Sequence, residues 1–188
     1  VAEFIGTFAL VFIGGGTIIV SRASGGTIGL LEIAFAHGLV LAVMVSALMR
    51  VSGHFNPAVT LGFLATRRIE PTMAGVYVVS QILGAVIAAY ALKGLFPAAV
   101  FEAVRGGGQA ISLDISGTQA FGLEAIATFF LVLAVFGTAV DPQAPRVGGF
   151  AIGLTLTVCI LAIGPYTGAS LNPARFFGPA VASGVYEG

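Results

Sequence analysis

The chain alternates long apolar stretches with short polar connections. Stretches without a charged residue cover positions 4–20, 33–49, 71–92, 125–140 and 147–174. Most of them are close to the roughly 20 residues that a helix needs to cross the hydrocarbon core of a bilayer. The pattern therefore predicts an all-α membrane protein with five spanning helices.

Two copies of the tripeptide Asn-Pro-Ala interrupt this pattern. They are Asn56-Pro57-Ala58 and Asn172-Pro173-Ala174. Because Asn is a strong helix N-cap and Pro is favoured at the first helical position, each copy predicts the start of a helix. The uncharged residues after the first copy number about 10, which at 1.5 Å each gives about 15 Å, half of a hydrocarbon core. Each copy therefore predicts a re-entrant half-helix that enters the membrane without crossing it.

The two tripeptides occupy equivalent positions of an internal duplication. They lie 116 residues apart (172 − 56), and at a similar spacing Glu3 and Thr7 match Glu124 and Thr128. Polar residues inside spans are rare and costly, so this coincidence carries more weight than matches between apolar residues. The chain therefore contains two related repeats.

The repeats predict an inverted arrangement inside one transmembrane domain, residues 1–188. Repeat 1 covers about residues 1–93, and repeat 2, which is incomplete, covers about residues 118–188. The first repeat contains three spans, which is an odd number. The second repeat is therefore expected to lie in the membrane with the opposite orientation. The half-helices then enter from opposite faces and meet with the positive ends of their dipoles near the midplane. The stretch between the repeats, residues 94–117, predicts an external loop.

Composition and charge exclude several classes of protein. The chain is 57% hydrophobic and 9% charged, whereas soluble domains carry about 25% charged residues. Its net charge is +0 without a basic cluster, which excludes nucleic acid as a partner. Cys159 is the single cysteine, and no metal-ligand spacing is present, so we expect no metal and no cofactor. Without a nucleophile, base and orienting group, we expect no enzyme.

These motifs resemble the aquaporin and glycerol-facilitator family, also called major intrinsic proteins. The segments that carry the resemblance are residues 3–7, 52–60, 166–175 and 177–179. A single Asn-Pro-Ala is a weak signal, because any capped helix can produce one. Two copies in repeat register, with Arg175 after the second, are a strong one. The resemblance covers nearly the whole chain.

The resemblance implies a homotetramer with one pore per subunit and a selectivity constriction of four side chains. Carried onto this sequence, the four are His37, Ile160, Ala169 and Arg175. This set is similar to that of some plant vacuolar-membrane aquaporins, and Ile160 is expected to widen the ring and remove a hydrogen-bonding group. Phe176 follows Arg175, where glycerol facilitators typically have Asp, and this favours the water branch.

Several polar residues have a structural interpretation beside a functional one. Glu3 and Glu124 resemble a proton relay, but we expect each carboxylate to support the non-helical backbone that leads into a half-helix. His54 is expected to line the inner mouth or to brace its loop. From the residues alone, His37 is either an interhelical hydrogen-bonding group or a pore residue. Arg175 is either an interfacial arginine or a charge deep in the pore.

The leading hypothesis is a passive transmembrane water channel that excludes protons and ions. Capping engages the side-chain oxygens of Asn56 and Asn172, so each amide nitrogen is expected to donate to water in the lumen. A wider neutral-solute channel for ammonia, hydrogen peroxide, urea or glycerol is the alternative. A secondary transporter also fits inverted repeats with broken helices, and a non-conducting structural member of the family stays open.

The family continues into a sixth span after the second half-helix, whereas this sequence ends at Gly188. Five spans and two half-helices would leave backbone facing lipid, so we expect the chain to be part of a longer protein. The expected partners are water, small neutral solutes and the lipid bilayer. The spans predict a multi-pass integral membrane protein, for which a plasma or inner membrane is favoured over an organelle.

Overall fold

The structure is a computed structural model that describes residues 1–145 and 147–186. Arg146 and residues 187–188, which belong to the predicted second repeat, lie outside the described residues. The described part contains helices and turns and no β-strand. Its eight α-helices are α1 (Ala2–Ala23), α2 (Leu30–Leu48), α3 (Pro57–Ala65), α4 (Pro71–Leu95), α5 (Ala98–Ala103), α6 (Gly117–Val135), α7 (Gly148–Thr167) and α8 (Pro173–Ser183).

In this part of the chain, five helices are long and apolar enough to cross a membrane: α1, α2, α4, α6 and α7. A π-helical turn, Phe136–Val140, extends α6. By contrast, α3 has 9 residues and α8 has 11, or about 14 and 16 Å of helix, which is about half of a hydrocarbon core. The predicted all-α fold of spanning helices and two half-helices is confirmed.

Each half-helix starts at its Asn-Pro pair for the predicted reason. The Asn56 side-chain oxygen accepts a hydrogen bond from the Ala58 N–H at 2.8 Å. The Asn172 oxygen accepts from the N–H groups of Ala174 at 3.0 Å and Arg175 at 3.3 Å. A proline occupies the first helical position in both cases, where its missing N–H is not needed. The capping residues therefore define where the chain turns back into the membrane.

Small residues allow the spanning helices to pack closely around these half-helices. Gly38 on α2 faces Gly153 on α7, and a Cβ atom on either glycine would overlap the carbonyl oxygen of the other. At the same crossing, the Thr157 hydroxyl donates to the Ala34 carbonyl at 3.3 Å. Such close approach is the usual way in which helices associate in lipid. The α2–α7 pair is thus a close helix–helix contact within the bundle.

The two predicted repeats differ in which helices pack against their outer surfaces. In repeat 1, α4 packs against α1 and α8. In repeat 2, an open groove of about 510 Å³ runs along α6 and reaches Glu124 and Asn172. No described helix fills this groove.

The prediction of a loop over residues 94–117 is wrong in part. The α4 helix continues to Leu95, and α5 (Ala98–Ala103) follows it, with a short 3₁₀ turn at Arg105–Gly107. Phe101 on α5 is buried in the apolar cluster of α1 and α4, and this contact folds the connection back onto the bundle. As a result, Gln109 reaches the outer end of the candidate pore.

Candidate functional site

The two half-helices meet with their N-termini facing each other. The Asn56 side-chain amide donates to the Leu171 carbonyl at 2.7 Å, and the Asn172 amide donates to the Phe55 carbonyl at 2.8 Å. Each asparagine thus caps its own helix with its oxygen and bonds the opposite repeat with its nitrogen. This is the meeting of dipole ends that the inverted repeats predict.

The reciprocal bonds change what the two amides offer to a solute. An NH₂ group has two hydrogens, and one of them is used by the opposite carbonyl at each site. One N–H per asparagine is left for water. Sequence reasoning assigned the whole amide nitrogen to the lumen and did not foresee this pair of bonds.

The carbonyls that accept these bonds belong to residues with unusual backbone. Phe55 has φ 48° and Leu171 has φ 51°, a left-handed conformation that is uncommon for residues other than glycine. Both residues directly precede a capping asparagine. The same backbone reversal in both repeats turns one carbonyl toward the opposite half-helix.

Two buried carboxylates hold these reversed loops. Glu3 accepts hydrogen bonds from the backbone N–H groups of His54 at 2.9 Å and Phe55 at 2.7 Å. Glu124 accepts from the two equivalent N–H groups in repeat 2, at 3.0 and 2.8 Å. Neither carboxylate lines the cavity described below. Each carboxylate therefore holds the backbone of the loop that precedes a half-helix.

Gln81 adds a donor that sequence analysis missed. Its side-chain nitrogen donates to Glu3 at 2.6 Å and to the Thr60 hydroxyl at 3.0 Å. The Thr60 oxygen lies 3.1 Å from Nδ1 of His54. Gln81 is fully buried. The signal in the sequence is a lone glutamine inside a charge-free stretch, because polar groups in spans are costly.

His54 lies at the inner end of the site. Its ring packs on Phe63, with a centroid distance of 4.1 Å, and meets Tyr77 edge-on at 5.1 Å. Together with the bond to Thr60, these contacts fix the orientation of the imidazole. His54 also lines the cavity, and its position at the inner mouth of a pore stays a prediction.

At the outer end, Arg175 and His37 are bonded directly. The Arg175 guanidinium lies 2.8 Å from Nε2 of His37, whose Nδ1 lies 2.8 Å from the Ile33 carbonyl. A carbonyl only accepts and a guanidinium only donates, so this geometry assigns the neutral tautomer with the proton on Nδ1. Arg175 is 4% exposed, so its side chain is covered by protein on nearly all sides.

Gln109 also contacts Arg175, and because a guanidinium only donates, we assign the side-chain amide of Gln109 with its oxygen toward Arg175. Sequence analysis missed it, because Gln109 follows a glycine run that gives no sign of folding back. Ile160 and Ala169 are both buried in one apolar cluster. Of the four positions that the family resemblance assigns to the constriction, His37 and Arg175 are thus joined by a hydrogen bond, while Ile160 and Ala169 lie in the apolar core.

A narrow cavity runs from His54 past the two asparagines to Arg175. Its volume is about 10 Å³, close to the minimum of about 10–15 Å³ that one water requires. Ser170 adds a further polar residue, and aliphatic side chains of α1, α2, α3, α6 and α7 complete the wall. The cavity ends at Arg175, and His37, Ile160 and Ala169 do not line it.

The fold and this cavity define a multi-pass integral membrane protein of the channel class. The model of one protein family, described as Major intrinsic protein, matches residues 1–188. The chain belongs to this family, whose members are channels and not enzymes.

Individual proteins support the same assignment. The chain is 43% identical to aquaporin TIP4-4 of Zea mays over 197 residues, covering 98% of this chain and 75% of the relative. It is 42% identical to nodulin-26 of Glycine max over 193 residues, covering 100% of this chain and 68% of the relative. The aquaglyceroporin from Plasmodium falciparum has a similar structure, with a TM-score of 0.84 at 27% identity, covering 97% of this chain and 78% of that one.

Proposed function

We propose that the protein is a passive transmembrane water channel that excludes protons and ions. The observation that carries this proposal is the pair of asparagine amides on the wall of a cavity whose volume is close to the minimum that one water requires. Each amide keeps one N–H that a passing water can accept from. Two adjacent donors orient a water oxygen toward the midpoint of the pore.

The remaining wall supports rapid passage. Most of it is aliphatic, so a file of waters meets hydrogen-bonding groups at a few positions only. Conduction requires sites that bind strongly enough to admit a molecule and weakly enough to release it. An apolar wall with isolated donors meets both conditions.

The same elements oppose the entry of cations. Each half-helix N-terminus carries roughly +0.5 of a charge, and the two face each other where an ion would be most dehydrated. Arg175 adds a permanent positive charge at the outer end. Pore diameter, lining groups and half-helix dipoles act together in aquaporin-type pores.

We further propose that His37, Ile160, Ala169 and Arg175 form the selectivity constriction and that the protein is a homotetramer. The His37–Arg175 bond supports the constriction, and the family resemblance assigns the other two positions. The family resemblance supports the tetramer. A chain built from repeats over about residues 1–93 and 118–188 is part of the same proposal.

A channel for wider neutral solutes is the second candidate. Ile160 and Ala169 are aliphatic at two of the four positions that the family resemblance assigns to the constriction, and a structural neighbour is described as an aquaglyceroporin. An ion-coupled transporter receives less support, because Glu3 and Glu124 are engaged by loop amides. Ammonia, hydrogen peroxide, urea and glycerol are the solutes to compare with water.

Stopped-flow measurements on proteoliposomes test the proposal. The full-length protein is reconstituted, and vesicle volume is followed under gradients of an impermeant osmolyte, urea and glycerol, with empty vesicles as the control. We expect fast water flux with slow urea and glycerol flux. Fast flux of all three would support the second candidate, and rates equal to those of empty vesicles would reject both.

A further inference from the structure

The loops that precede the two half-helices differ in their backbone. We call residues 52–55 the inner loop and residues 168–171 the outer loop. In the inner loop only Phe55 is left-handed. In the outer loop Gly168 (φ 78°), Ala169 (φ 45°) and Leu171 (φ 51°) are all left-handed. Left-handed residues other than glycine persist only where their surroundings hold them, so the outer loop needs additional bonds.

Thr167 provides these bonds at the end of α7. Its hydroxyl donates to the Glu124 carboxylate at 2.6 Å and accepts from the Ala169 N–H at 3.0 Å. A hydroxyl has one proton, and its other nearby acceptor, the Ile163 carbonyl, is 3.5 Å away. The proton therefore goes to the carboxylate. The buried Thr167 links Glu124 to the amide of the left-handed Ala169.

The inner loop has no such link. The residue equivalent to Thr167 is Val51, which lacks a hydroxyl and is 78% exposed. Glu3 instead receives its third hydrogen bond from Gln81 on α4, at 2.6 Å. The hydroxyl bridge therefore occurs only on the side of the pore where Arg175 lies.

The outer loop also supports the side chains around Arg175. Gly168 packs against Gln109, since a Cβ atom on this glycine would lie 2.8 Å from the Gln109 side chain. Gln109 in turn contacts the Arg175 guanidinium. A change in the backbone of residues 168 and 169 would move Ala169 and Gln109 together.

We propose that Thr167 is a positioning residue for the outer constriction. Through Glu124 and the Ala169 amide, its hydroxyl holds the backbone that determines the width of the passage beside Arg175. This inference rests on the proposed function. Loss of the hydroxyl leaves the Ala169 N–H without its acceptor, so the loop relaxes and admits larger solutes.

A graded series of variants tests this role. Thr167→Ser keeps the hydroxyl, Thr167→Cys keeps only a weak donor, and Thr167→Val keeps the shape without a donor. The control is Thr155→Val, because the Thr155 hydroxyl bonds the Ala151 carbonyl on the same helix at 2.9 Å. Water and urea permeability are measured for each folded protein in proteoliposomes. The readout is the urea-to-water ratio.

We expect Thr167→Ser and the control to keep the wild-type ratio. Thr167→Val should raise it by up to about tenfold, the factor that corresponds to the loss of one neutral hydrogen bond, that of the Ala169 N–H. Thr167→Cys should fall between them. If the valine variant does not fold, the serine and cysteine variants decide the question by the same ratio.

Equal ratios across the series would overturn the proposal, as would a lower melting temperature without a change in ratio. The second result would mean that Thr167 only stabilises the fold. Wild-type vesicles without water flux would reject the proposed function and this inference with it. A conducting wild type with a flat series rejects the role of Thr167 alone.

Discussion

Replacing Arg175 with valine tests the electrostatic part of the proposed mechanism. The guanidinium is buried at the outer end of the cavity and bonded to His37 at 2.8 Å. Valine removes both the permanent charge and the bulk of the side chain. We expect Arg175→Val to admit protons and small cations that the wild-type protein excludes.

The structure sets the scale of the effect. A cation at the end of the cavity that comes within about 4 Å of the guanidinium is repelled by about 4 kcal/mol at an effective dielectric constant of about 20. Each 1.4 kcal/mol corresponds to about a factor of ten. Removing the charge should therefore raise cation entry by up to about a thousandfold, whereas neutral water gains only from the added space.

The assay measures two fluxes on the same vesicles. Water permeability comes from stopped-flow light scattering, and proton permeability from an enclosed pH-sensitive dye under a fixed membrane potential. Arg175→Lys is the matched control, because it keeps a positive charge while losing the planar guanidinium. Proton flux that rises in the valine variant and stays low in the lysine variant agrees with the account. A valine variant as proton-tight as the wild type would refute it.

Three further variants test other parts of the structure. Asn172→Asp places a carboxylate where the helix dipoles meet, so sodium flux into dye-loaded vesicles should rise; unchanged tightness would contradict the dipole argument. Gly14→Ala would overlap the ring of His37 and should cost about 1–3 kcal/mol, seen as a lower melting temperature. Gly75→Ala, on α4 with open space around it, should leave the melting temperature unchanged or raise it. Glu3→Leu leaves three buried donors unpaired and should cost about 3 kcal/mol or more; a melting temperature equal to the wild-type value would show that the carboxylate is not a support.

The helical architecture follows from local features of the sequence. Charge-free stretches of about 20 residues predict spans because the bilayer core has a fixed thickness. The helix starts at Pro57 and Pro173 follow from the capping chemistry of the preceding asparagines. These features depend on neighbours within a few residues, and the structure agrees with each of them.

The contacts that were missed join residues distant in sequence. The bond from Asn56 to Leu171 spans 115 positions, and no local pattern encodes it. Gln109 meets Arg175 where the connection between the repeats folds back onto the bundle, with Phe101 buried in the apolar cluster. Repeat symmetry predicts that the half-helices meet, but it does not predict which atoms bond.

The most direct test of the central claim is an experimental density map of the full-length protein in a lipid nanodisc, at a resolution that shows ordered water. The account predicts that the Asn56 and Asn172 amides each lie within hydrogen-bonding distance of a carbonyl in the opposite loop. It also predicts a water between the two amides that accepts from both. Asparagines far apart, or an amide that faces lipid instead of a water-filled passage, would contradict it.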